Sequence, residues 1–272
     1  MRLVALGDCV CDCYLDDGVF YPGGQAVNVA VNARQSGAQE SSFVGVFGDD
    51  CAADHVRASL AAEGVGTERC RRAYLRTAMP GVRIIDGDRV FFHGARDTVA
   101  HLLQMRVAEE DLAFLAGFDV CHTTNEANVD ADLARIHARV PLSYDFSIDR
   151  DEGWLRQICP SVDVAFLSGA DLSDDRIIEL MGFVGSLGPS VVVVTRGERG
   201  SVCSADGTIY EQGIVACDAI DPMGAGDSFA AAFLVSYFDT RDVARSLAFA
   251  AARASETCTK HGAFGYPHPI ER

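Results

Sequence analysis

The chain has 272 residues, 49% of them hydrophobic, and a formal net charge of −16. That is enough for one large domain or two small ones with a real core. The charge argues against a nucleic-acid or anionic-membrane partner, so an anionic ligand has to be held by local N–H groups and a few placed cations. Between Arg2 and Gly7 there are only four apolar residues, too few for a signal-peptide core, and no run of eighteen apolar residues occurs. Neither a leader nor a membrane span is expected, and a cytoplasmic location follows as the default. The ten cysteines lack the spacing of a disulfide framework and read as reduced thiols. Cys9, Cys11 and Cys13 share one face if that segment is extended; zinc usually wants four ligands, so they read as small buried hydrophobes.

In chain order, residues 3–6 form a short buried strand ending at Gly7-Asp8. A hairpin follows, with Asp16-Asp17-Gly18 as its turn. Gly23-Gly24 then opens a helix with Ala26, Val27, Ala30 and Val31 at helical spacing and Asn28 in its first turns, stopped by Gly37. Residues 42–48 are a second strand, and the next helix is capped by Asp49 or Asp50 and ended by Gly64. Strand alternating with helix implies a parallel α/β sheet. The pattern breaks at 77–94, a hairpin turning at Asp86-Gly87. Alternation resumes with strands at 118–123, 142–146, 164–168 and 191–195 and helices at 130–139, 151–158 and 174–186. A short hairpin over 200–212 precedes two C-terminal helices, the second over 241–262, and an irregular tail. No repeat, low-complexity segment or long linker divides the chain, so 1–272 reads as a single domain.

The most informative stretch is DPMGAGDSFAAAFL, residues 221–234. Gly224 and Gly226 permit a sharp, bare turn whose N–H groups converge on an anion, and the dipole of the helix that follows adds to the attraction. Asp227 beside such a hole either caps the helix or takes a proton from a hydroxyl attacking a phosphoryl group. Asp145, Ser168, Asp171, Thr195 and Gly197 fall at the C-terminal ends of the later strands, where ligands bind in open α/β sheets. Other nucleotide motifs are missing. There is no GxxxxGK[ST], no GxGxxG after the first strand and no GxSxG elbow.

DPMGAGDSF resembles the C-terminal signature of the PfkB (ribokinase-like) sugar kinases, DTxGAGD, with Pro222 in place of Thr. In that family the last Asp is the catalytic base. PGGQAVNVA resembles the N-terminal signature PGGxxxNVA, whose glycine pair and Asn bind the sugar with an Asp after the first strand; here these are Gly23, Gly24, Asn28 and Asp12. TRGERGSV is similar to the family's T-x-G-x-x-G nucleotide segment, giving Thr195, Gly197 and Gly200. Residues 168–171, SGAD, stand where many relatives have N-x-x-E holding magnesium through water. Both named positions depart, and Asp171 reaches one methylene less far than Glu.

The resemblance implies a ribokinase-like three-layer sandwich, with a central mostly parallel sheet and a small β-sheet lid from segments about 12–22 and 74–96. It also implies transfer of the γ-phosphoryl group of ATP, with Mg2+, to a primary hydroxyl of a sugar. Asp227 would be the base, and the N–H groups of Gly224, Ala225 and Gly226 the anion hole. A monovalent cation beside Asp221 and a homodimer through the lid belong to the same expectation. Within the family the chain is most similar to fructoselysine 6-kinases, through GGxAVNVA, VGVFGDD, GDRVF, DFS and DPMGAGDSF. That implies an Amadori sugar such as fructoselysine, phosphorylated at O6. Gln25 and the residues around Arg83 depart from that pattern. Another acceptor (2-keto-3-deoxygluconate, ribose, fructose or a nucleoside) is the alternative, as is a non-catalytic sugar-binding regulator of the same fold. Arg89, in GDRVF, is either a contact to an anionic group on the acceptor or a solvated lid arginine.

Overall fold

The computed structural model describes residues 1–85 and 88–270. Period-two alternation in the central strands builds three layers. In β1 (Arg2–Gly7), Leu3 and Ala5 enter one core while Val4 and Leu6 enter the other. β2 (Val10–Tyr14) and β3 (Val19–Gly23) form the expected hairpin, followed by α1 (Gln25–Gln35), β4 (Glu40–Phe47) and α2 (Cys51–Ala62). The Asp50 carboxylate caps α2 through the Ala53 N–H at 2.9 Å. A two-residue strand β5 (Arg71–Arg72) precedes the second hairpin, β6 (Gly81–Ile85) and β7 (Asp88–Phe92). Its Asp86-Gly87 turn lies outside the described residues.

Two short helices, α3 (Val99–Leu102) and α4 (Glu109–Leu115), lead to β8 (Val120–Thr124), α5 (Leu133–His137) and β9 (Leu142–Asp145). Then come α6 (Glu152–Ile158), β10 (Val164–Ser168), α7 (Asp174–Leu187) and β11 (Val191–Thr195). β12 (Ser201–Ala205) and β13 (Thr208–Gln212) form a hairpin before α8 (Ala225–Thr240), α9 (Val243–Cys258) and β14 (His268–Pro269). β10 and β11 have the bounds read from their apolar runs; Val191 and Val193 face one core, Val192 and Val194 the other.

The large sheet has nine strands in the order β13-β12-β11-β10-β9-β8-β1-β4-β5, parallel from β11 to β5, with β12 and β13 antiparallel at one edge. Buried residues of α1, α2, α8 and α9 share one core, and those of α4 to α7 share the other. Parallel strands bring all their C-terminal loops to one end, and that positions the site.

The two hairpins join into a second sheet, order β14-β3-β2-β6-β7. Its outer strand β14 corrects the expectation of an irregular tail. His268 pairs with Phe20, and the Ile270 N–H reaches the Gly18 carbonyl at 2.9 Å. A two-residue strand has no period to read. α9 also starts later than expected. Arg241 adopts φ 57° at the end of α8, and Asp242 caps α9 through the Arg245 N–H. Among the described residues no helix is long and apolar enough to cross a membrane.

Asp111 of α4 is fully buried and pins the segment between the two sheets. It accepts from Arg69 Nη2 at 2.7 Å, from Arg71, and from the Ala108 N–H at 2.8 Å. Burial alone would raise its pKa; the Ala108 N–H and the two guanidinium groups outweigh this and hold it below the ordinary carboxylate range. Its stabilising contribution is therefore complete at neutral pH and is lost as pH falls through the lowered pKa. Asp111→Asn is expected to lower the free energy of urea unfolding by roughly 3 kcal/mol at pH 7, with the gap to wild type closing at strongly acidic pH.

Candidate active site

β2 sends its residues two ways. Cys11 is buried with its thiol toward the Ala52 carbonyl, and Cys13 is buried too. Burial pushes the Cys13 thiol up to about 11 and Cys11 well above its usual value, which suits inert packing groups. Among the described residues no cluster of three metal-ligating side chains occurs, and all ten cysteines are free. Asp12 and Tyr14 share the opposite strand face. Asp12 is buried against Gly23, where a Cβ would collide with its carboxylate.

Gly24 is the cap residue of α1 at φ 102°, and a Cβ there would lie 2.8 Å from Asp8 Oδ2. Only glycine fits this bend without strain. Asp8 takes over the capping, accepting the Gln25 and Ala26 N–H groups at 3.2 Å each. One turn along, Asn28 donates from Nδ2 to Asp227 Oδ2 at 2.7 Å. Asn28 is 3% exposed, and its Oδ1 is buried without a hydrogen-bond partner. A buried amide oxygen left unpaired is costly, so the group is poised for a ligand donor.

Gly224, at φ 72°, caps α8 and packs on Ala263 so closely that no Cβ fits. The Ala225 N–H turns back to the Pro222 carbonyl at 3.2 Å. Gly226 is exposed, and a Cβ there would meet nothing within 4 Å. The Ala225 N–H, expected in the anion hole, is thus committed within its own loop, while the exposed Gly226 leaves the start of α8 open beside Asp227, where the helix dipole favours negative charge. Asp12, Gly23, Gly24, Asn28, Gly224 and Asp227 are therefore brought together.

The loop is held by Asp221, which is fully buried. Its carboxylate accepts from the Tyr14 hydroxyl of β2, the Met223 N–H at 2.9 Å and the Gly262 N–H at 2.9 Å. Those donors balance its charge from the second sheet, its own loop and the segment after α9. Gly262 lies under the Tyr21 ring, 2.7 Å from where its Cβ would be.

Thr195, Gly197 and Gly200 lie at a separate group of loops. The Gly169 N–H donates to the Thr195 carbonyl at 2.8 Å, and Gly197 lies against Ala170. Gly200, at φ 79°, runs against the Gln212 carbonyl with no room for a Cβ. Arg199 stitches this region together, donating to Leu172 O at 2.6 Å and to the Gly169 and Ala170 carbonyls. Asp171 is exposed and paired with Arg150 Nη2, both oxygens at 3.0 Å, an interaction that lowers its pKa. Burial pushes neighbouring Asp145 up to about 6, against the Ser147 N–H. The backbone of Arg89 lies in β7; its side chain lies outside the described structure.

Sequence reasoning missed Asp8, Tyr14, Arg150 and the Gly262-Ala263 wedge. Asp8 left one signal, its place at the C-terminal end of the first strand; the others depend on contacts between distant parts of the chain. Tyr14→Phe, which removes one of three donors to a buried carboxylate, is expected to cost about 2 kcal/mol in urea unfolding.

The model of the pfkB family of carbohydrate kinases matches residues 3–269. The chain is 40% identical over 270 residues to fructosamine kinase FrlD of Bacillus subtilis, covering 99% of this chain and 95% of that protein. It is 32% identical over 263 residues to fructoselysine 6-kinase of Escherichia coli, covering 96% and 99%. In fold it is similar to an Arabidopsis thaliana ribokinase complexed with ribose and ATP, with a TM-score of 0.83 at 21% identity over 97% of this chain and 95% of that one. The expected ribokinase-like sandwich is thus the observed one. With its length matched almost end to end, the chain belongs to the pfkB family of carbohydrate kinases, phosphotransferases with an alcohol group as acceptor.

Proposed function

We propose that the protein transfers the γ-phosphoryl group of ATP to O6 of a fructosamine such as fructoselysine, with Asp227 as the base. The observation that carries this reading is the Asn28–Asp227 hydrogen bond together with the unpaired, buried Oδ1 of Asn28. Asn28 orients the carboxylate with one end of its amide and offers the other to a sugar hydroxyl. Asp12 supplies a second buried acceptor close by. A polyol matches such a set of oriented acceptors around bare glycine backbone.

Asp227 accepts the O6 proton as O6 bonds to the γ-phosphorus and the bond to the ADP oxygen breaks. N–H groups at the start of α8 face the charge that develops on the transferring group. Thr195, Gly197 and Gly200 form the edge against which the nucleotide lies. Magnesium, when bound, would neutralise the polyphosphate. Asp171, exposed and held ionised by Arg150, fits a hydrated ion, which needs few carboxylates and keeps its waters. The second sheet acts as a lid that excludes water. Its exposed Leu15, Ile85, Val90, Phe91 and Phe92 support dimerisation through it.

The fructosamine assignment draws on the activities for which the two relatives are named, each covered over nearly its whole length. A panel of sugars assayed with ATP and magnesium tests it, and turnover of other sugars with none of any fructosamine would exclude it. Asp227→Asn is expected to lower kcat by about 10²–10⁴-fold with the sugar KM changed only a few-fold. An unchanged rate would remove Asp227 from the base role.

A further inference from the structure

A monovalent cation beside Asp221, which the family signature implies, needs oxygen atoms that converge on one point in place of its hydration shell. What converges on Asp221 is hydrogen. Its Oδ1 accepts the Met223 N–H and its Oδ2 the Gly262 N–H, each at 2.9 Å, and Oδ2 also accepts the Tyr14 hydroxyl. The positive ends of these three dipoles already balance the carboxylate, and they repel a cation placed among them. The neighbouring carbonyls are turned to other donors. Cys258 O accepts both the Ile220 and the Asp221 N–H, at 2.8 and 3.1 Å, while Pro222 O accepts from Ala225 and Gly224 O from Ser228.

Access to the carboxylate is closed as well. Asp221 is fully buried, Tyr14 and Tyr21 are buried over it, and their rings meet edge to face with centroids 4.9 Å apart. Tyr21 in turn covers Gly262, whose φ of 68° and missing Cβ let the chain pass beneath the ring. The two tyrosines come from β2 and β3, so the second sheet supplies both a donor and the seal. Neither the donor set nor an entry path fits a bound ion.

We propose that this kinase works without a monovalent cation, and that the Tyr14 hydroxyl stands in for one by balancing Asp221 and fixing the loop before α8. The substitution has a mechanical consequence. An ion would hold that loop alone, whereas Tyr14 ties it to β2, the strand that carries Asp12. Tyr14 is then a positioning residue, which keeps the acceptor end of the site in register with Gly224 and Asp227. The identity of the acceptor does not enter.

The test compares potassium chloride with tetramethylammonium chloride at equal ionic strength, by thermal unfolding and by kcat. An ion present at about 100 times its Kd would raise Tm by about 5–10 °C. The wild type is expected to show the same Tm in both salts to within about 1 °C, and the same kcat to within about twofold. A potassium-specific rise in Tm, or saturable activation by potassium, would overturn the proposal. The unfolding comparison needs no turnover, so its outcome is separate from that of the fructosamine reading. In Tyr14→Phe, kcat is expected to fall about tenfold with the ATP KM within about twofold of wild type, and potassium should not restore it. An unchanged kcat would remove Tyr14 from the positioning role, and recovery in potassium alone would show that an ion can bind there, which also overturns the proposal.

Discussion

The arrangement depends on one buried charge. Placing the Asp221 carboxylate out of contact with solvent costs several kcal/mol unless its lone pairs are filled, and three donors from three parts of the chain fill them. Each hydrogen bond to a charged acceptor contributes about 1.5–3 kcal/mol. The second sheet, the loop before α8 and the segment after α9 are thereby fixed to one another before any ligand arrives. Gly224 can then hold its left-handed turn against Ala263, and the start of α8 points where Asn28 can reach it.

That last contact joins residues 199 positions apart in the chain. It is possible because β1 lies inside the large sheet, so α1 and α8 cover the same face and share one core. Ala26, Ala30, Ala33, Ala230 and Ala231 are all fully buried or nearly so, and such small side chains let helix backbones approach closely. The same position puts the loop after β1, with Asp8, under the cap of α1. A single amide can therefore orient a carboxylate and remain available to a ligand.

Features set by local chemistry were legible in the sequence. The apolar runs 164–168 and 191–195 gave β10 and β11 to the residue, because strands buried on both faces need no partner-specific pattern. The glycine bends at 23–24 and 224 were legible because the conformation demands glycine there. Contacts across the fold left no such mark. Tyr14 reads as one more apolar strand residue until Asp221 is placed beside it, and Arg69 and Arg71 read as surface charge until Asp111 is buried between them. Asp171 was legible as a position after a strand, but its partner Arg150 is twenty-one residues earlier, on the neighbouring strand's loop.

The acidity of the chain gains a meaning from how charge is distributed around the site. Asp8, Asp12 and Asp227 gather around the Gly23-Gly24 bend and the first turn of α1. Arg150, Arg196 and Arg199 gather around the loops after β9, β10 and β11. Those arginines are partly committed, to Asp171, Asp174 and Glu211, so backbone N–H dipoles must supply much of the attraction for a polyphosphate. An overall charge of −16 opposes an anionic nucleotide and draws in a cation. A neutral sugar would gain nothing from that field, whereas a sugar carrying an amine would be steered toward the carboxylates before any specific contact forms.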